Sequence, residues 1–334
     1  MRRWLVALLA VAVIATGVIF RAEVVDGTRA TVDAIGSWST RLRDVAAAEP
    51  ETEVGLRARE GESAAVLLTL GSQEGDAAFA LVVVDPVGPP MLILLPQDLL
   101  VSVPGFGEFR LVDALVFEGP ELVALAITNQ FGIRIDAVAS LPAGAIGAGL
   151  LEPIVVELSV PLFQDDGSGV VRTLPAGVGP IVPGLVETLL VERGQGDVFE
   201  WIQRQGSAWR SILEAIAVEP RIADRLTADA GPGGPEAADL LVTVAADLDR
   251  GVATLPVSRA ESSTGISALV PARGQIDQFL QERLGHLLLA PGGRVRIEIL
   301  NGNGRIGTTE TVASILIRAG YHLIKTDNAD SFDY

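Results

Sequence analysis

The sequence predicts an α/β fold. It reads as a three-layer α/β/α domain on a central mixed sheet, preceded by an N-terminal transmembrane helix and followed by a small, incomplete α/β module. Three observations predict this. Short apolar runs bounded by Gly, Asp and Pro alternate with longer stretches of helical spacing, the pattern of helices packed on a sheet. Apolar residues make up 49% of a 334-residue chain, enough for a sizeable core and about two domains. A single uncharged apolar run of near-membrane length stands at the N-terminus.

That run extends from Trp4 to Phe20, between Arg2-Arg3 and Arg21. Seventeen helical residues span about 26 Å, just short of a ~30 Å hydrocarbon core, and flanking arginines can snorkel across the difference. Arg2 and Arg3 favour a cytoplasmic N-terminus. Residues 1–21 are thus read as a cytoplasmic tip and anchor in the plasma membrane, single-pass, with the C-terminus extracytoplasmic. A cleaved signal peptide is the alternative, but Val18-Ile19-Phe20-Arg21 are bulky where cleavage needs small side chains. A buried soluble helix is the third reading.

Residues 22–60 are polar, carry mixed charge and read as a stalk. Strands are expected at Ala64–Leu70, Phe79–Val84 and Met91–Leu95, and a helix at Glu121–Asn129. Ile154–Val160 reads as a strand and Val198–Ala217 as a long helix. Gly231-Pro232-Gly233-Gly234-Pro235 marks a loop or sub-domain break. Leu240–Val244, Ala253–Val257 and Gly265–Val270 read as three further strands, and Gln275–Leu289 as an amphipathic helix. These segments form one domain, 61–289. Residues 290–293 are a linker to a second module, 294–334, with strand Val295–Leu300, helix Thr308–Ala319 and strand Tyr321–Ile324.

Composition excludes several functions. A net charge of −17 repels nucleic acid and anionic bilayers alike. The absence of cysteine removes disulfides, thiol catalysis and zinc–thiolate sites. His286 and His322 are the only histidines, which argues against histidine-rich metal sites and most Ser-His-Asp triads. Lys325 is the only lysine, so an anion site must use arginine or backbone N–H groups. Gly302-x-Gly304-x-x-Gly307 matches a dinucleotide fingerprint literally, yet the residues that follow cannot complete one βαβ unit. It reads as a tight strand-to-helix turn.

Two segments carry a family resemblance. Leu95-Pro96-Gln97-Asp98, Val103-Pro104-Gly105-Phe106-Gly107, Glu118-Gly119-Pro120-Glu121 and Phe131-Gly132-Ile133-Arg134-Ile135-Asp136 stand in order, followed by Arg193, Asp197 and Ile202-Gln203-Arg204-Gln205. From Ala64 to about Leu289 the chain resembles the LytR-CpsA-Psr (LCP) domain. From Arg294 it is similar to the LytR C-terminal domain, through Ile299-Leu300-Asn301-Gly302-Asn303-Gly304 and Ala329-Asp330-Ser331-Phe332-Asp333-Tyr334. That domain normally continues with further strands, so a truncated module is expected. The resemblance implies a deep apolar groove for a polyprenyl phosphate lipid, and transfer of glycopolymer from a polyprenyl pyrophosphate carrier onto peptidoglycan, usually with magnesium. Arginines would grip the pyrophosphate, and carboxylates would hold the cation.

The sequence departs from that pattern where the chemistry lies. Gln97 replaces the arginine of Pro-Arg-Asp, and Gln73 an acidic residue. Gly75-Asp76-Ala77-Ala78 stands for the Arg-x-Asp-Thr segment, with Asp76 one residue out of register. Leu111 replaces a lysine, Asp113 an asparagine, and Trp201 the arginine opening the Arg-x-x-Arg-Gln helix. Charge-assisted hydrogen bonds contribute roughly 1.5–3 kcal/mol each, so losing two arginines and a lysine removes about 5 kcal/mol or more of pyrophosphate binding. The resemblance leaves Arg193, Arg204, Gln205 and Gln97 as phosphate-binding candidates, and Asp76 and Asp98 as metal candidates. Each has a structural alternative: Asp98 capping a loop, Arg193 and Arg204 in surface ion pairs. Asp197 reads as the N-cap of the helix that follows, and Trp201 and Trp209 as core.

The implied function is a degenerate, catalytically impaired LCP-like envelope protein that binds or scaffolds polyprenyl-linked glycopolymer, or scaffolds active paralogues. An active glycopolymer–peptidoglycan phosphotransferase and a purely structural envelope protein are the alternatives.

Overall fold

The computed structural model describes residues 19–22, 63–71, 76–165, 167, 169–248, 251–261, 267–302 and 308–329. After a short strand β1 (Ile19–Ala22) come three strands of the central sheet, β2 (Ala64–Gly71), β3 (Ala77–Val84) and β4 (Met91–Leu95). Strands β5 (Leu100–Val103) and β6 (Gly107–Arg110) form a hairpin that leads into helices α1 (Leu111–Glu118) and α2 (Pro120–Phe131). Strand β7 (Ala137–Leu141) and helix α3 (Ala145–Leu150) follow. Two hairpin-like pairs come next, from β8 (Ile154–Leu158), β9 (Leu162–Asp165), β10 (Val170–Leu174) and β11 (Gly177–Ile181). Helices α4 (Pro183–Val191), α5 (Val198–Val218), α6 (Arg221–Thr227) and α7 (Gly234–Ala245) then precede β12 (Val252–Thr254). Hairpin β13 (Val257–Glu261)–β14 (Ser267–Pro271) and helix α8 (Gln275–Leu284) close the domain. The C-terminal module is β15 (Arg296–Asn301), α9 (Thr308–Arg318) and β16 (His322–Asn328), with β16 parallel to β15, so one βαβ unit is completed here, contrary to the expectation from the sequence.

The central sheet has the order β12-β4-β3-β2-β7 and is mixed: β12 runs parallel to β4 and β2 parallel to β7, while the other pairs are antiparallel. Both faces are covered, so its strands read as continuous apolar runs rather than alternating ones. Val66, Leu68, Val82, Leu92 and Leu94 face α4, α5 and α7 in one cluster. Ala65, Leu67, Leu81 and Ile93 face α1, α2 and α8 in the other. This is the three-layer arrangement the sequence predicts.

Two expectations are corrected. Leu240–Val244 is not a strand but the last half of α7. Pro235 in the first turn and burial of Ala237, Leu240, Leu241 and Val244 give it a helical stripe, which a short apolar run cannot display by itself. Of the two readings of the Gly-Pro segment, the structure shows the loop, between α6 and α7, and not a sub-domain break: Gly233 lies so close to Val138 that an added Cβ would come within 2.3 Å of its carbonyl oxygen. In addition, Ile19 and Phe20, the last two residues of the expected membrane helix, lie in β1, which pairs antiparallel with β15. The rest of that run, most of the stalk, Gln73, the turn at 303–307 and the terminal Asp330–Tyr334 lie outside the described residues. Among the described residues no helix is long and apolar enough to cross a membrane.

The segment 290–293 is followed by a pinned junction. Arg294 donates to the carbonyl oxygens of Asn129 and Tyr321, both at 2.5 Å, and to that of Gly320 at 3.4 Å. Its side chain lies over Gly132, where an added Cβ would meet Arg294 Cδ at 2.6 Å and the backbone has φ +70°. Burial lowers the Arg294 pKa to about 10. Asn129, fully buried on α2, acts as a surrogate strand on the edge of β16: Oδ1 accepts from the Leu323 N–H at 2.9 Å, and Nδ2 donates to the Leu323 carbonyl at 2.9 Å.

Candidate functional site

The candidate residues converge at one end of the central sheet because β3 and β4 are antiparallel. Phe79 pairs with Leu95, so the start of β3 and the end of β4 lie side by side. Asp76 precedes β3, and Gln97 and Asp98 follow β4. Gln97 is buried and spans the two: Nε2 donates to Asp76 Oδ1 at 2.7 Å, and Oε1 accepts from the Ala77 N–H at 2.7 Å. Its amide is thereby engaged with protein at both ends.

Asp98 is the charged centre, with a side chain only 8% exposed. Arg193 Nη1 approaches Oδ2 at 3.4 Å, and Arg110 Nη1 approaches Oδ1 at 3.6 Å. Burial raises the Asp98 pKa and outweighs the opposing pull of the two guanidiniums. Arg110, which the sequence reading did not select, caps α1. Its backbone N–H and its guanidinium both donate to Asp113, the guanidinium through Nε at 3.1 Å and Nη2 at 2.8 Å. The hydrogen bond to Asp113 raises its pKa. The signal was present in sequence as Arg110-x-x-Asp113 opening a helix, one half of a capping box in which Asp113 accepts from the Arg110 N–H.

Arg193 sits in the loop after α4. Its backbone N–H donates weakly to Asp76 Oδ2 at 3.4 Å. The turn depends on Gly194, at φ +64°, where an added Cβ would meet the Phe163 carbonyl oxygen at 2.5 Å. Arg204 and Gln205 lie beneath this loop rather than at its surface. Arg204 is buried, and its guanidinium donates to the Arg193 carbonyl at 2.7 Å and the Pro161 carbonyl at 3.4 Å. Burial lowers its pKa. Gln205 donates to the Leu190 carbonyl at 2.6 Å. These two side chains therefore position the Arg193 loop. Asp197 caps α5, accepting from the Phe199 N–H at 2.7 Å, and also pairs with Arg259.

Between the sheet and α5 and α7, where the resemblance implies an apolar groove, the described side chains are packed. Trp201 and Trp209 on α5 are 0% and 2% exposed, and Leu92, Val82, Ile212, Leu213 and Leu241 are all 0% exposed. A channel wide enough for a prenyl chain would leave its lining open to water-sized contact; these residues have none. Among the described residues, the buried Trp201 indole N–H and Arg204 Nε–H meet no protein acceptor. A cleft of about 430 Å³ lies elsewhere, between β12 and α8, lined by residues such as Val252, Pro256, Phe279 and Arg283, and includes none of the candidates.

Asp76 and Asp98 do not fit a resident magnesium ion. All four carboxylate oxygens already face an N–H or a guanidinium. Among the described residues no group of three or more His, Asp or Glu side chains is placed to hold a metal ion. The cluster as a whole joins three carboxylates, Asp76, Asp98 and Asp113, to two guanidiniums, Arg110 and Arg193. It is self-neutralised, with a small excess of negative charge.

The fold itself is that of a known class. TagV of B. subtilis superimposes with a TM-score of 0.55 at 14% identity, over 69% of this chain and 98% of that one. TagT bound to LI-WTA gives 0.51 at 16% identity, over 70% and 99%. EF0465 of Enterococcus faecalis, described as a transcriptional regulator, gives 0.51 at 19% identity, over 67% and 88%. TagV and TagT are LCP proteins, and this chain has the LCP fold. No protein-family model and no curated protein matches the chain.

Proposed function

We propose that this chain is an extracytoplasmic component of the bacterial cell envelope, anchored by its N-terminal apolar run, that has kept the LCP scaffold without the transfer chemistry. It binds or scaffolds polyprenyl-linked glycopolymer, or holds active LCP paralogues together, and does not itself join polymer to peptidoglycan. The observation that carries this is the site's internal closure. Asp98 takes both nearby guanidiniums, Gln97 is spent on Asp76 and Ala77, and Arg204 and Gln205 bond backbone carbonyls. Both guanidiniums of the cluster are thus held on carboxylates rather than preorganised for the charge that a leaving diphosphate would develop, and such preorganised donors supply the largest part of transition-state stabilisation.

The sealed interior adds a second constraint: a prenyl chain has no room between sheet and helices and stays in the bilayer. Contact with polymer then falls to the rim, where Arg193 is 38% exposed and, held on Asp98 through Nη1, offers its other guanidinium edge to a phosphate or sugar. Rim contacts of this kind are weak.

The test is a titration of the full chain in detergent with a polyprenyl pyrophosphate analogue, with and without magnesium. Weak binding that ignores magnesium and releases no phosphate supports the scaffold reading. Magnesium-dependent phosphate release supports the transferase instead, and no binding of lipid or polymer leaves the purely structural reading.

A further inference from the structure

Three of the chain's ten phenylalanines meet on one exposed face. Phe106 at the β5–β6 turn stacks on Phe117 of α1, centroids 4.5 Å apart, and Phe109 on β6 meets Phe117 edge-on at 5.0 Å. The three rings are 36–40% exposed, and Val116 beside them is 50% exposed. Elsewhere among the described residues the exposed large apolar side chains are mostly valines, and the one other exposed phenylalanine, Phe199, lies under the Arg259 guanidinium. An aromatic face fixed by its own stacking, and left open to water, marks an interaction surface.

The charge around it says what kind. Glu108 and Glu118 are chain neighbours of Phe109 and Phe117, and Glu121 opens the next helix; all three are exposed, and none forms an ion pair among the described residues. Arg110, the chain neighbour of Phe109, is already committed to Asp113 and Asp98. Three unneutralised carboxylates therefore flank an apolar centre. An anionic bilayer is repelled by such a face. A second copy would bring the same carboxylates against each other across a two-fold axis. A bare hydrocarbon chain gains nothing from them. A protein surface with an apolar anchor flanked by arginine or lysine satisfies both features.

We propose that the Phe106–Phe109–Phe117 face docks a partner protein whose contacting surface is apolar at its centre and basic at its edge. This stands independently of the scaffold reading and would hold for an enzyme as well.

The test places a photoreactive benzoylphenylalanine at Val116 of the full chain in the cell that makes it, keeping the three rings intact. A protein adduct is expected whose cross-linked peptide carries arginine or lysine beside apolar residues. Its yield should fall at least tenfold in Phe109→Ser and in the double variant Glu118→Lys/Glu121→Lys, with unchanged melting temperature. If Phe109→Ser fails to fold, Phe106→Ser at the hairpin turn serves in its place. The proposal is overturned by an adduct between two copies of this chain, by adducts to lipid alone, or by a cross-link to the chain's own residues 303–307. It is equally overturned by no adduct, or by one indifferent to both kinds of substitution.

Discussion

Replacing Asn129 with alanine should undock the C-terminal module. The wild-type side chain satisfies the Leu323 N–H and carbonyl, each at 2.9 Å, and donates to the Ser102 carbonyl at 3.2 Å. Leu323 is buried, and its carbonyl otherwise receives only a long contact from Ser102 Oγ at 3.5 Å. The substitution therefore leaves one backbone donor unpaired and one acceptor nearly so, at about 1–3 kcal/mol each. A combined loss of about 3 kcal/mol shifts the docking equilibrium more than a hundredfold. Two assays read it. Trypsin should cut after Arg294 much faster once its guanidinium no longer holds the carbonyls of Asn129, Gly320 and Tyr321. Hydrogen exchange at Leu323 should accelerate by a similar factor, while the central sheet keeps its protection. Unchanged cleavage at Arg294 with unchanged exchange at Leu323 would refute the reasoning.

His322 makes the same module acid-sensitive. Burial, with Arg294 and Arg296 adding to it, lowers its pKa to about 4. Because the folded value is below the unfolded one, this stability is full above about pH 6.5 and is lost as pH falls toward 4. Because His322 keeps part of its surface in solvent, the amplitude is reduced to about 1–2 kcal/mol, and His322→Leu should flatten that limb in pH-dependent melts. Trp201→Phe should change stability by no more than about 1 kcal/mol. Relief of the unpaired indole N–H offsets the small cavity, and a denaturant titration showing a loss above 3 kcal/mol would contradict the unpaired donor. Arg204→Ala should lower stability by about 2–4 kcal/mol through the Arg193 and Pro161 carbonyls it leaves open. Arg193→Ala should change stability by less than about 1 kcal/mol while removing rim binding of polymer; chemical denaturation paired with binding separates the two roles.

The sheet was legible because β2, β3 and β4 are buried on both faces, and such strands announce themselves as continuous apolar runs. The cap at Asp197 before α5 was legible too, because it acts locally. Misreading Leu240–Val244 reflects the ambiguity of five apolar residues, which only the packing of α7 on the sheet resolves. The β5–β6 hairpin and α1 were missed because Gly-Glu-Phe-Arg exposes its one aromatic residue, Phe109, instead of burying it. The site was legible in membership but not in direction. Sequence brought Gln97, Asp98, Asp76 and Arg193 together, yet could not show that Arg204 and Gln205 turn inward to backbone carbonyls. Orientation on a helix depends on which face the sheet covers. Arg110 escaped notice because the resemblance directed attention to Leu111, one position on, where a lysine is expected.

The most direct measurement reconstitutes the full chain in liposomes with a fluorescent polyprenyl pyrophosphate-linked glycopolymer, peptidoglycan acceptor and magnesium. Without a free guanidinium set to meet the departing phosphate, label should stay on the lipid, with or without the cation. Sustained, magnesium-stimulated appearance of label on peptidoglycan, abolished by Arg193→Ala, would contradict the account.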